Sequence, residues 1–164
     1  MTEFPVVHVL EYPYSRTLGP VLGPFFTGLR DGRILAVKKD TGELVWERQV
    51  ADPAIGETIT SAPLVIRDLG VSGMAGGEFG VRGSVTAYNI KDGTKAWRAY
   101  SMGPDSDTLL SADTTSMGKP VGADSGTATW QGDQWKIGGG TTWGWYSYDP
   151  DLNLFYYGSG NPST

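Results

Sequence analysis

A chain of 164 residues with 13 Lys and Arg against 18 Asp and Glu, a net charge of −5, is one domain of ordinary size without the basic excess that a phosphate backbone demands. It has no cysteine and a single histidine, His8, which excludes disulfide scaffolds, zinc knuckles, iron–sulfur clusters and thiol catalysis and argues against a Ser-His-Asp triad or a histidine metal cluster. Twenty-four Gly and ten Pro disfavour long helices, while 39% apolar residues with six Trp and eight Tyr are too rich for a disordered tail, so a compact, acidic, mostly β domain is expected.

At the start of the chain, Met1-Thr2-Glu3-Phe4-Pro5 lacks the basic and apolar blocks of a secretory signal. Nor does any apolar run approach the roughly 18 residues of a membrane helix. The first element predicted is a hairpin. Residues 33–38 alternate as a strand, Asp40-Thr41-Gly42 turns, and residues 43–48 return. The same pattern recurs from Thr86 to Ile90, around Asp92-Gly93, and from Thr94 to Arg98. Gly32 and Gly83, Ala36 and Ala87, Gly42 and Gly93, and Trp46 and Trp97 all stand 51 residues apart. Such a repeat, closed by a Trp whose indole packs across the repeat boundary, reads as β-propeller blades. Trp46 and Trp97 should then occupy equivalent, substantially buried positions.

A long polar stretch follows from Ser101 to about Thr129, of the kind that is either functional or poorly ordered. A weaker third hairpin is expected at Trp145–Pro150, turning through Asp151-Leu152-Asn153 into Leu154–Tyr157. Asp149, Asp151 and Asn153 imitate the start of a calcium hand, but the required glycine and terminal Glu are missing, so they form a turn. Two to three blades cannot close a propeller. Their sheet flanks stay uncovered, and the isolated chain should be marginally stable or self-associate.

Three motifs stand outside the repeat. Gly76-Gly77-Glu78-Phe79-Gly80-Val81-Arg82-Gly83 sets one carboxylate in a glycine frame. It reads either as a bulge or turn with a solvated Glu, or as a close backbone approach to a ligand with oxygen offered to a hard cation. Gly138-Gly139-Gly140-Thr141-Thr142-Trp143-Gly144-Trp145 reads either as tight core packing or as a flat indole floor with hydroxyls beside it. Gly158-Ser159-Gly160-Asn161-Pro162 either presents the Asn161 amide oxygen or forms an Asx turn.

Together with Gly56–Val65, Trp97–Tyr100 and Asn153–Pro162, these segments resemble the quinoprotein alcohol dehydrogenases, which use pyrroloquinoline quinone (PQQ). The resemblance is nearest to the methanol dehydrogenase large subunits and runs from about Gly32 to Thr164. Residues 1–25 do not share it and read as a divergent or non-native segment, leaving 26–164 as a piece of the propeller. The resemblance implies an all-β fold, a partial β-propeller of two to three blades from an eight-bladed whole with Trp docking motifs. It implies PQQ and Ca²⁺ or a lanthanide ion as cofactors. Carried over, Glu78 and Asn161 are metal ligands. Thr60 and Thr141 bond the PQQ carboxylates, Gly76 and Gly77 lie along its edge, and Trp143 is the floor beneath its rings. Ala75 stands where many relatives have Ser, so one contact is lost. The family's catalytic Asp lies past Thr164 and its vicinal Cys pair is absent, so no catalytic residue is assigned to this chain. A small primary alcohol substrate, a cytochrome c-type electron acceptor and a periplasmic location are implied as well. The competing expectation is a non-enzymatic propeller scaffold on quinoprotein-like repeats, with no reason to keep Glu78, Thr141, Trp143 and Asn161 together.

Overall fold

The computed structural model describes residues 25–111 and 113–163, so the segment 1–25 lies, but for Phe25, outside the described residues. The first hairpin is β2 (Arg33–Val37) and β3 (Leu44–Gln49), extended by β1 (Phe25–Gly28) into an antiparallel sheet in the order β1-β2-β3. The second sheet, in the order β4-β5-β6-β7, consists of β4 (Leu64–Ile66), β5 (Leu69–Gly73), β6 (Ser84–Asn89) and β7 (Lys95–Tyr100).

The 51-residue repeat survives down to single hydrogen bonds. Ala36 pairs with Trp46 and Ala87 with Trp97, and in both hairpins a register shift follows immediately, at Ala36/Val37 and Ala87/Tyr88. Lys38 N donates to Glu43 O and Gly42 N to Lys38 O; Asn89 N donates to Thr94 O and Gly93 N to Asn89 O. Gly42 and Gly93 share a φ of 71°, in the left-handed region where glycine carries no Cβ penalty. Each turn is thus set by one glycine, and the turn sets the register.

The sheets pack face to face. Ile34, Ala36 and Trp46 of the first sheet meet Ile59, Met74, Val81 and Tyr88 of the second unit in one core. Trp46 is 7% exposed, and its Nε1 donates to Ile90 O at 2.7 Å, tying one blade to the next. A second core, Val71, Val85 and Ala87, takes Ile66, Leu69, Trp97 and Phe155 against it. Trp97 is half-buried rather than fully enclosed; the unit that places Phe155 on the same core is a two-stranded hairpin and not a whole sheet. That hairpin is β10 (Tyr146–Asp149) with β11 (Leu154–Tyr157), the third copy, in the register Tyr146↔Tyr157 to Asp149↔Leu154. Asp149 Oδ1 accepts from Asp151 N and Leu152 N, so the calcium-hand imitation is a turn.

The polar stretch after β7 folds into short pieces: helix α1 (Asp105–Thr108) and a small hairpin of β8 (Thr115–Ser116) and β9 (Lys119–Pro120). Arg82 fastens it. Its guanidinium lies 3.8 Å from the Tyr100 ring centroid and 4.6 Å from that of Trp135. Nη1 pairs with Asp107 at 2.9 Å and Nε donates to Met102 O at 2.8 Å. Among the described residues no helix is long and apolar enough to cross a membrane.

Candidate functional site

The two blades differ most between their second-last pair of strands. The connection from β1 to β2 occupies 29–32, whereas that from β5 to β6 occupies 74–83 and is six residues longer. The extra length is the glycine-rich motif. Gly76, at φ 112°, opens a short 3₁₀ turn over Gly77–Phe79, and Gly80 closes it in the left-handed region. The turn lifts Glu78 and Phe79 into the exposed zone while Gly76 stays buried beneath them.

Three other segments are stitched to this loop through the backbone. Thr58 and Ala75 exchange N–H···O bonds, bringing the strand that leads to Thr60 alongside the loop. Gly83 N donates to Gly139 O at 2.7 Å and Thr142 N to Met74 O at 2.9 Å, which lays 138–142 along its other side. Gly160 N donates to Thr141 O at 2.7 Å and Gly140 N to Asn161 O at 3.0 Å, adding the segment around Pro162. Ser61 Oγ donates to Trp143 O and closes the ring.

The sequence-predicted residues therefore gather on one side of the fold, although they are spread from Thr60 to Asn161. A methyl group at Gly77 would lie 3.1 Å from Thr141 Oγ1, and one at Gly160 would lie 3.4 Å from the same atom. Glu78 and Asn161 each follow one of these two glycines in the chain. Thr141 is buried and Ala75 half-buried, while Thr60, Glu78 and Asn161 are exposed. The Trp143 side chain is 58% exposed, an open indole of the sort that accepts a planar ring. Glu78 makes no ion pair among the described residues, and no group of three or more His, Cys, Asp or Glu side chains gathers there. Glu78 is exposed, so desolvation imposes no partner on it in this chain.

Two residues that hold the ring together were given no role by the sequence. Thr142 is fully buried; its Oγ1 accepts from Met74 N at 3.1 Å and donates to Ser84 O at 2.6 Å. Tyr146 donates to Thr142 O at 2.6 Å and accepts from Gly73 N at 2.8 Å. Burial pushes the Tyr146 phenol above its ordinary pKa, against hydrogen bonding from Ser61 and Gly73 that favours the phenolate, so it stays a donor at neutral pH. The sequence shows Thr142 only as the neighbour of Thr141, and Tyr146 only as a strand residue.

A family model described as the outer membrane protein assembly factor BamB (PQQ_2) matches residues 22–132. The putative dehydrogenase XoxF of Paracoccus denitrificans is 52% identical over 143 residues, 87% of this chain and 24% of that protein. The lanthanide-dependent methanol dehydrogenase of Methylacidiphilum fumariolicum (strain SolV) is 52% identical over 151 residues, 92% of this chain and 25% of that protein. A solved europium-containing methanol dehydrogenase superposes with a TM-score of 0.80 at 53% identity, over 87% of this chain and 25% of its own. The chain spans about a quarter of the length of these relatives.

Proposed function

Because the chain belongs to the PQQ-dependent (quinoprotein) alcohol dehydrogenase family, we propose that it carries one wall of the PQQ and metal site of an enzyme oxidising a primary alcohol, methanol foremost, to an aldehyde. The observation that supports this most is the convergence of 58–61, 74–83, 138–143 and 160–162 on Thr141, since the repeat alone gives no reason for it.

The residues present suit the group. Gly76 packs closely on the Gly56 backbone and Gly77 on Thr141, and Trp143 offers an open ring face. Glu78 and Asn161 are hard oxygen donors, the kind that Ca²⁺ or a lanthanide ion takes. PQQ, with its metal, supplies the two-electron oxidant and the Lewis acid. The chain's own part is to bind and orient: Trp143 stacks on one face, Thr60 and Thr141 offer hydroxyls to the carboxylates, and Gly76 and Gly77 lie along the edge. Ala75 has no hydroxyl to offer, so its corner holds more weakly. Calcium accepts six to eight oxygens, so the two ligands named here leave the remaining positions to the cofactor and to parts of the enzyme outside these 164 residues. The proton acceptor for the alcohol lies outside them as well. The reading extends to a cytochrome c-type electron acceptor, on the strength of the relative named methanol dehydrogenase [cytochrome c] subunit 1 of Methylorubrum extorquens, 50% identical over 134 residues, and to the periplasm as the compartment.

The match to a model described as BamB supports a second reading, a non-enzymatic propeller scaffold. One experiment separates the two. PQQ titrated with Ca²⁺ or La³⁺ should quench tryptophan fluorescence in the wild type and much less in Trp143→Phe. Absence of saturable quenching, or quenching of equal size in the variant, would favour the scaffold.

A further inference from the structure

The end of β6 remote from the glycine-rich loop is closed by the turn from Asn89 to Thr94. There the seam between the first two sheets opens into a cleft of about 390 Å³. Arg48, Gln49, Tyr88, Thr94, Lys95 and Arg98 line it, and no Asp or Glu does. On a chain of net charge −5, three cations around one cleft are a local reversal of sign.

None of the three is in an ion pair among the described residues; the carboxylates pair elsewhere, with Arg33, Lys38, Arg82 and Lys136. Arg48 donates to two backbone carbonyls, Glu47 O at 2.9 Å and Asp92 O at 2.7 Å, which fix the guanidinium; its charge helps to lower the pKa of the nearby Asp92 carboxyl, but the two form no ion pair. Arg98 is half-buried and donates through Nε to Thr86 Oγ1 at 2.8 Å, again a neutral partner. Lys95 is exposed at the mouth. Burial holds the Tyr88 phenol above its ordinary pKa, so a hydroxyl rather than a phenolate accompanies the cations at neutral pH.

We propose that this inter-sheet cleft is an anion site for a small multivalent oxyanion, a polycarboxylate or a phosphate, gripped between Arg48 of the first sheet and Lys95 and Arg98 of the second. A ligand there ties two blades already linked at this seam by the Trp46 indole on Ile90 O and by Arg48 on Asp92 O, so binding stabilises their stacking as well. The site lies at the other end of β6 from Glu78 and does not depend on the PQQ reading.

Calorimetric titration of the full chain with citrate and with inorganic phosphate, at low ionic strength and with chloride as the control, tests this. At least one of the two should bind saturably, and the tighter identifies the source of the ligand's charge. Lys95→Gln and Arg48→Gln should each weaken binding about tenfold, equivalent to about 1.4 kcal/mol. Salt should weaken it too, because charges this exposed are screened within about 8 Å at physiological ionic strength. Both residues are exposed, so the variants should keep the wild-type circular dichroism. No saturable binding of either anion, or binding that survives both substitutions unchanged, would overturn the proposal.

Discussion

Thr142→Val removes a hydroxyl from the centre of the convergent loops while nearly preserving volume. Thr142 is 0% exposed, so water cannot replace what is lost. Two bonds go: Met74 N–H loses its acceptor at 3.1 Å, and Ser84 C=O loses a donor at 2.6 Å. A buried N–H left unpaired costs about 1–3 kcal/mol and a carbonyl, with its second lone pair, about 1 kcal/mol, so together they should cost about 2–4 kcal/mol. For a chain of this size about 1 kcal/mol moves the melting temperature by about 2–4 °C, which makes the expected fall roughly 5–15 °C. Thr142→Ser is the control. It keeps both bonds and loses one buried methyl, at about 1 kcal/mol. Thermal melts followed by circular dichroism give the ranking, and amide exchange at Met74 reports the orphaned donor directly. The reasoning is refuted if the valine variant melts no lower than the serine variant, or if the Met74 amide keeps its protection.

Four further outcomes are expected. Glu78→Gln in the complete enzyme should weaken Ca²⁺ or La³⁺ binding by about tenfold or more and slow alcohol oxidation, and unchanged metal affinity would remove Glu78 from the ligand set. Trp46→Phe keeps most of the apolar contact but leaves the Ile90 carbonyl without its 2.7 Å donor, so chemical denaturation should show a loss of about 1–2 kcal/mol. Burial raises the phenol pKa values of Tyr88 and Tyr146 above the ordinary 10.0, so the stability they contribute is full below that pH and lost as pH rises through the raised values; urea midpoints should fall on the alkaline side, less steeply in Tyr146→Phe. With Phe79 70% and Trp145 81% exposed, the isolated chain should melt low and self-associate, and light scattering that found a monomer with a sharp, reversible transition would contradict that.

What could be read from the sequence follows the range of the interactions. The hairpins were legible because their geometry is set within a few residues: Gly42 and Gly93 supply the left-handed turn, and alternation supplies the buried face. The inter-blade role of Trp46 was legible because the repeat places it. The clamp of Arg82 on Tyr100, Trp135 and Asp107 was not, since its partners are scattered from Tyr100 to Trp135, mostly in a stretch without periodicity. Thr142 and Tyr146 were hidden for a related reason. Their work is bonding to backbone atoms, and a backbone partner leaves no residue type in the sequence to pair with. Exposure was hidden too: a motif shows that Glu78 stands among glycines, not that a short 3₁₀ turn carries it outward.

The repeat and the candidate site are complementary in origin. Where the two blades coincide, from Arg33 to Gln49 and from Ser84 to Tyr100, the residues serve pairing and packing, and the shared register is a sufficient reason for them. Where they depart, in the six-residue lengthening before Gly83, a blade gains nothing in sheet pairing. The loop adds two left-handed glycines and an exposed Phe79, features that take no part in sheet pairing, while its Met74 and Val81 join the core. Its gain is the approach to Thr141, reached also by Gly160 from the far side of the third hairpin. A glycine at both places keeps side chains out of that approach, and under the proposed function the next position, Glu78 or Asn161, presents the oxygen. Structural economy accounts for the blades; under the proposed function, a ligand accounts for lengthening one of them at the point where four segments meet.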